Sequence, residues 1–487
     1  MDPNSSDQSR AEQLQRLKTD ELDVLVLGGG IVGAGVARDA ALRGLKAGLI
    51  EQYDFAYGAS SRSSRLLHGG LRYLAKGQLR LVREASREKR ILHHIAPHLS
   101  QPLAFIIPTR RGLGVPRWQL SIGVRVYDMM CSGGNHGRSG TLSVRQINDL
   151  LPDLTKQDLT GGVRYYDALT NDSRLVIDTL RSAAAAGAIT CNYARFDRAN
   201  RENQLWICRA TDELAEESFD IRCRYVVNAT GPWADQTSAE GPRLCVSKGA
   251  HLVFDRSRLP IPQAVVLQQG KRVLGLMPWG QRVIAGTTDT RYEGELRSPI
   301  CDADDQQYIL DFINHAFDGL DLSQSDIRSS WAGLRPLIDD GSGEPIDVSR
   351  SHHIVETTER WIDVVGGKLT TYRLMAELAV DQVAASMGAT KPCVTARQPL
   401  LDKEQTAQVS KVVPPPPSQQ LVDHFCKREW AVNLSDVMAR RSGWQHYLDD
   451  QGQVAERVAR WMARALGWDQ STTEQQLADY LEPAPSA

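Results

Sequence analysis

Apolar and polar positions along the chain fall into short periods that predict its elements. Residues 24–27 form a solid apolar run, read as a buried strand. Ile31, Ala34, Ala37 and Ala41 recur at helical spacing up to Gly44, and a second apolar run closes at Glu51. This is a β-α-β unit. An amphipathic helix rich in Arg and Glu is predicted over 79–99, a strand over 162–166, and a helix over 174–186 that Asp172 and Ser173 cap and Gly187 stops. Residues 188–223 read as a β-meander around charged turns, and 224–229 as a buried strand. β-rich runs over 244–290 and 327–337 predict an antiparallel sheet, with a helix between them over 302–317. A last strand over 361–365 leads through Gly366 and Gly367 into a helix over 369–385. Pro414 to Pro417 predict a stiff linker. Beyond it, helices near 419–431, 434–441, 453–466 and 473–481 make a small bundle. The polar residues 1–20 are expected to be disordered or a frayed helix.

The β-α-β unit carries its own chemistry. Gly28, Gly30 and Gly33 stand in G-x-G-x-x-G spacing between the strand and the helix. Gly28 permits the tight turn, Gly30 lets a pyrophosphate approach the backbone, and Gly33 lets helix and strand pack closely. The helix N-terminus offers N–H groups to phosphate. Glu51 is placed to accept from ribose hydroxyls, and its charge disfavours a 2′-phosphate. The unit alone does not separate FAD from NAD.

Composition narrows the classes. At 487 residues the chain is long enough for two or three domains. A net charge of -2 gives no global field toward nucleic acid. The eight cysteines form no C-x-x-C and sit at no metal-ligand spacing with His, so reduced thiols and no metal are expected. No run approaches the roughly 20 apolar residues of a membrane span. The acidic N-terminus lacks an apolar targeting core. The expectation is a cytoplasmic protein, soluble or peripherally attached. Over 101–140, Arg110, Arg111, Arg117 and Arg125 interleave with Leu113, Trp118, Ile122 and Val126. Two readings stay open: a membrane-surface helix, or an ordinary helix with a solvated basic face.

Further motifs follow in order: SSRSSRLLHGGLRYL at 60–74, NATGPWAD at 228–235, SKGAHLVF at 247–254, AGTTDTRYEG at 285–294, WAGLRPL at 331–337 and GGKLTTYR at 366–373. With the G-x-G-x-x-G unit, this series resembles the FAD-dependent glycerol-3-phosphate dehydrogenase family, of the aerobic, quinone-linked type. The resemblance runs from about residue 22 into the C-terminal helices. Ala250, where the family usually has Ser, and Ser351, where an acid is common, depart from it.

The resemblance implies an α/β fold: a Rossmann-type FAD-binding domain of the D-amino-acid-oxidase-like class, an antiparallel β substrate domain and a C-terminal helical bundle. The expected organisation is a flexible segment 1–20 and an oxidoreductase region 21–387. Within that region, FAD-binding segments near 21–100, 188–240 and 350–387 interleave with substrate segments near 101–187 and 241–349. A linker 388–418 and a helical domain 419–487 follow. The cofactor is expected to be FAD, bound without a covalent link. Gly28, Gly30, Gly33, Glu51, Ser60, Ser61, Ser63, Ser64, His68, Gly70, Thr230, Gly231, Gly367, Lys368, Leu369 and Thr370 are the expected contacts. The implied activity is oxidation of sn-glycerol 3-phosphate to dihydroxyacetone phosphate. Membrane quinone is the implied acceptor, with peripheral attachment to the inner face of the cell membrane. A homodimer is compatible with the family, and no nucleic acid is expected.

Alcohol oxidation needs a hydride acceptor, a base and a held substrate. A phosphate dianion calls for Arg and Lys. The resemblance implies Arg72, Tyr73, Arg335, Arg350 and Lys368, with His251, as substrate ligands, and His251, Arg335 and Lys368 as the catalytic group. Histidine suits a base near neutral pH, yet a lone histidine on a strand is more often structural. His68 is the alternative base or a flavin contact. Two rivals stay open: a same-fold FAD oxidase using oxygen or acting on an amino or hydroxy acid, and a catalytically idle FAD sensor.

Overall fold

The computed structural model describes residues 9–74, 77–131, 137–238, 240–270, 272–339, 352–388 and 391–482. Among these residues the strands form two sheets. The first grows from the β-α-β unit. Glu21–Leu27 pairs in parallel with Ala47–Glu51 on one side and Glu217–Asn228 on the other. Ile189–Asn192 and Trp361–Gly366 extend it in parallel, and His352–Thr358 adds an antiparallel edge. Strand Glu217–Asn228 shows how burial follows position. Its first part alternates exposed and buried beside the hairpin strand Leu205–Asp212, and its last four residues are all buried in the parallel layer. A strand covered on one face alternates, and one covered on both does not.

Helices Ile31–Leu42, Asp172–Ala185 and Tyr372–Met387 cover one face of this sheet, with Val26, Val36, Leu175, Leu180, Met375 and Val380 in one core. Residues 172–185 were expected in the substrate domain. They belong to the cofactor layer, because Leu175, Val176, Ile177 and Leu180 are fully buried there. The other face is covered by the meander and by helix Arg10–Thr19. That helix corrects the expectation of a flexible N-terminal segment. Ser9 and Glu12 form a capping box, Arg10 pairs with Asp212 at 2.6 Å, and Leu14 and Leu17 enter the core. Burying each leucine contributes about 1.5–3 kcal/mol, which docks a segment that is polar overall.

The second sheet is antiparallel apart from one parallel pairing, between Ala264–Gln269 and Gln101–Arg110. Helix Ala303–Ala316 buries Ile309, Phe312 and Ile313 against Leu252, Phe254 and Leu276 on one face. The opposite face carries Phe105, Tyr165, His251 and Met277 into a large cavity. Ala250 points into the helix-side core, away from His251, so its departure from the family pattern does not touch the cavity.

The stretch expected as a linker is built in. Trp279 donates to the carbonyl of Val412 at 2.9 Å and Trp444 to that of Pro415 at 2.6 Å. Pro414 and Pro415 are buried. Beyond them, Gln419–Arg428, Gln451–Leu466 and Gln470–Leu481 share a core of Phe425, Leu434, Trp444, Val458 and Met462. Buried ion pairs join this bundle to the cofactor layer. Arg440 and Arg441 reach Asp54 at 2.5 and 2.7 Å, and Arg174 reaches Glu429 at 2.5 Å.

Candidate active site

A cavity of about 1040 Å³ runs from the glycine turn of the first sheet to the inner face of the second. It is at the large end for a small-molecule site, as an extended dinucleotide with a substrate requires. At its first end Gly28 has φ +103, and a Cβ there would lie 2.6 Å from the carbonyl oxygen of Ala229. A Cβ on Gly33 would lie 1.9 Å from the carbonyl oxygen of Gly28, so Gly33 sets helix packing and is not on the wall. Gly30 is on the wall, where a Cβ would meet only the Ser60 hydroxyl, at 3.2 Å. Ser60 accepts from the N–H of Ile31 at 3.0 Å, capping the helix at the place a phosphate needs. Glu51 accepts from the N–H of Gly29 at 2.6 Å and of Tyr53 at 2.9 Å. Burial pushes its carboxyl up to about 7, against the pull of those two donors. A carboxylate has about four acceptor sites, so lone pairs remain for ribose hydroxyls. These residues fit a dinucleotide.

Thr230 and Gly231 line the cavity at the end of strand Glu217–Asn228. Gly367, Lys368 and Leu369 line it at the end of Trp361–Gly366. Gly366 and Gly367 both have positive φ, +73 and +76, which is why this turn is glycine-rich. The Lys368 ammonium lies 3.8 Å from the centroid of the Tyr73 ring, and the exposed Arg72 approaches the same ring at 5.9 Å. Thr370 is buried behind the wall. Its hydroxyl accepts from the N–H of His68 at 3.1 Å and so ties the two turns together. His68 and Gly70 are on the wall, and between them Gly69 donates to the Tyr127 hydroxyl at 2.8 Å.

The serine loop divides. Ser60 and Ser64 face the cavity, and Ser61 does not line it. Ser63 lines it but gives its hydroxyl to Asp172 at 2.7 Å and its N–H to the same carboxylate at 3.0 Å. Of the expected cofactor contacts, Gly33, Ser61 and Thr370 lie off the cavity wall, whereas Ser63 is on it with its hydroxyl turned to Asp172. A run of serines supplies hydroxyls, but only the fold decides which ones point inward. Arg350 and Ser351 lie outside the described residues.

The far end of the cavity holds His251 and Arg335 on neighbouring strands, Leu244–Asp255 and Ile327–Ile338. His251 is almost fully buried and stacks on Trp331, centroids 5.2 Å apart and planes 18° from parallel. Its Nε2 lies 2.8 Å from the Ser64 hydroxyl. Burial first, then the charges of Arg335 and Arg65, bring its pKa down to about 3, so the ring is neutral. Arg335 donates to Asp289 at 3.1 Å and to the Thr287 hydroxyl at 2.9 Å. Asp289 in turn accepts from Ser247 at 2.5 Å. Asp289, Thr287 and Trp331 were not singled out from sequence, although all three stand inside the quoted motifs. Nothing in their spacing says that they converge on Arg335 and His251. Among the described residues no His, Cys, Asp and Glu cluster suits a metal.

Comparison with known proteins agrees with this geometry. The profile of the FAD dependent oxidoreductase family, DAO, matches residues 23–380. The aerobic glycerol-3-phosphate dehydrogenase of Staphylococcus aureus is 36% identical over 379 residues, covering 76% of this chain and 68% of that protein. The glycerol-3-phosphate dehydrogenase of Bacillus halodurans, solved with FAD, superposes with a TM-score of 0.80 over 98% of this chain and 97% of its own, at 28% identity. The L-alpha-glycerophosphate oxidase of Mycoplasma pneumoniae, also solved with FAD, shares the fold at a TM-score of 0.59 and 16% identity over 75% of this chain and 95% of its own.

Proposed function

Since the chain belongs to the FAD-dependent oxidoreductase family and, within it, to the aerobic glycerol-3-phosphate dehydrogenases, we propose that it oxidises sn-glycerol 3-phosphate to dihydroxyacetone phosphate and delivers the electrons to membrane quinone. The observation that carries this reading is one continuous cavity. It joins the nucleotide turn of Gly28, Gly30 and Glu51 to Arg72, His251, Arg335 and Lys368 on the same wall. Bound FAD supplies the hydride acceptor. The chain supplies the rest. Lys368 and Arg72, both near the Tyr73 ring and on the cavity wall, suit the phosphate dianion. Arg335 shares its charge with Asp289 and stands beside His251, so it also serves the carbinol end, where negative charge develops as the proton leaves. His251 accepts that proton at Nε2.

Anaerobic titration of the yellow holoenzyme tests the reading. Glycerol 3-phosphate is expected to bleach the flavin, and a soluble quinone analogue to restore the colour. No bleaching would refute the substrate. Rapid recovery with oxygen and stoichiometric hydrogen peroxide would make the protein an oxidase.

Glu51 is proposed to hold the adenosine ribose. Glu51→Ala is expected to weaken FAD binding by about 1.5–3 kcal/mol, the loss of charged hydrogen bonds. Turnover at saturating FAD should change little. Equilibrium dialysis giving an unaltered FAD dissociation constant would remove Glu51 from the ribose.

Peripheral attachment has a structural candidate. Helix Arg117–Met130 buries Val124 and Tyr127 inward. Trp118, Ile122 and Met129 project outward on one face, 63%, 55% and 75% exposed, with Leu113 close in sequence. Arg111, Arg117 and Arg125 are exposed around them. Arg110 is turned away and donates to the carbonyl of Gln157. Among the described residues no helix is long and apolar enough to cross a membrane. An apolar stripe rimmed by arginine suits an anionic lipid surface. Flotation with anionic vesicles is expected at low salt and should weaken at high salt. Absence of flotation at low salt would refute attachment.

A further inference from the structure

Neither ring nitrogen of His251 is open to the cavity directly. Nδ1 is buried and has no hydrogen-bond partner among the described residues. Nε2 is covered by the Ser64 hydroxyl at 2.8 Å. Both residues line the cavity, but His251 is 1% exposed and Ser64 half-buried, so Ser64 is the more accessible of the pair.

The segment around Ser64 is held on both sides. The Trp331 indole, stacked on His251, donates to the carbonyl of Ser63 at 3.2 Å. Ser63 is tied by its N–H and hydroxyl to Asp172, and its hydroxyl also accepts from the N–H of Arg65 at 3.0 Å. Arg65 itself has φ +54, a costly conformation for a side-chain-bearing residue. Its guanidinium is buried against Trp279, 4.3 Å from the ring centroid, and Trp331, at 5.0 Å. These contacts hold the backbone on both sides of Ser64, and its hydroxyl meets the imidazole.

We propose that Ser64 relays the substrate proton: the carbinol O–H is broken onto Ser64 Oγ while the hydrogen of Ser64 passes to His251 Nε2. The balance is simple. FAD, when bound, would supply the acceptor for the carbinol C–H hydrogen and its electron pair; the O–H hydrogen replaces that of Ser64, and His251 holds one added proton. Asp289 already offsets part of the Arg335 charge that opposes this proton, and a bound substrate dianion adds further negative charge to the same cavity. The step rests on the proposed substrate.

The test uses the holoenzyme of wild type, Ser64→Ala, Ser64→Thr, His251→Asn and the Ser64→Ala/His251→Asn pair. Anaerobic stopped-flow at saturating glycerol 3-phosphate reads flavin reduction, with FAD content measured alongside. Ser64→Ala is expected to be about 10²-fold slower, and Ser64→Thr, which keeps the hydroxyl, to lie within about tenfold of wild type. The double variant should be no slower than its slower parent, because two groups in one relay do not add. In substrate-free enzyme carrying ¹⁵N-labelled histidine, the Nε2 resonance of His251 should move in Ser64→Ala and stay in Ser64→Thr. The relay is overturned if Ser64→Ala reduces within about threefold of wild type, or if the two losses multiply in the double variant. A wild-type flavin that glycerol 3-phosphate does not reduce refutes the substrate reading, and this step with it. An active wild type with a normal Ser64→Ala refutes the relay alone.

Discussion

His251→Asn is expected to slow flavin reduction by glycerol 3-phosphate about 10²–10⁴-fold, the range for losing a positioned general base. Asparagine keeps a polar side chain in the slot between Trp331 and Ser64 and cannot take the proton. Stopped-flow reduction at saturating substrate isolates the step from binding and product release. The structure adds a pH signature. A free enzyme whose essential histidine had its ordinary pKa would lose kcat/KM below about 6.5. Burial, Arg335 and Arg65 place His251 at about 3, so the ring is already neutral across the working range. The kcat/KM profile should therefore show no histidine break near 6.5, apart from ionisation of the substrate phosphate. The same shift links to stability. The unfolded chain takes up a proton below about 6.5 and the folded one does not until near 3, so this contribution is present above 6.5 and is lost as pH falls toward 3. Reduction at the wild-type rate in His251→Asn would move the proton acceptor elsewhere, with His68 next in line.

Arg441→Met is expected to destabilise the protein by about 3–5 kcal/mol and to loosen FAD, although Arg441 is remote in sequence from every cofactor motif. Removing Arg441 leaves two buried carboxylates, Asp54 and Asp436, to share Arg440, so one buried negative charge loses its balance. Arg441 is fully buried and donates twice to Asp54, at 2.7 Å each. Burial pushes the Asp54 carboxyl up, but Arg441 and Arg440 outweigh it and hold the group below its ordinary value. The pairing is thus present above the usual carboxylate range and lost as pH falls through the depressed pKa. Asp54 sits in the turn that leaves Glu51. In that turn Phe55 packs on Gly29, and the N–H of Ala56 donates to the carbonyl of Gly29 at 3.0 Å. Disturbing Asp54 therefore moves the nucleotide turn. Denaturant midpoints, with FAD retention on gel filtration, check both effects. A variant with an unchanged midpoint and full FAD would show the C-terminal helices to be an independent domain.

What the chain alone determined is local. The solid runs and the helical spacing around Gly28, Gly30 and Gly33 place a strand, a glycine turn and a helix, because backbone conformation and burial period are written in neighbouring residues. The same holds for the Gly366-Gly367 turn and for Asp302–Asp305, whose capping box starts a helix at Ala303. The motifs single out Glu51, His251, Arg335 and Lys368, and the fold brings all four onto one cavity. What only the tertiary structure decided depends on contacts between distant segments. The N-terminal helix reads as frayed until Leu14 and Leu17 meet the meander. The polyproline stretch reads as a linker until Trp279 and Trp444 take its carbonyls. Helix Asp172–Ala185 changes domain because its buried face matches Val36 and Ala37, more than a hundred residues earlier. Within the serine loop, identical side chains take different roles. Asp172 claims Ser63 and His251 claims Ser64, and neither partner is near in sequence. A pattern records which face of an element is apolar. It does not record which other element covers that face, and that choice sets the depth, charge and partners of every group in the site.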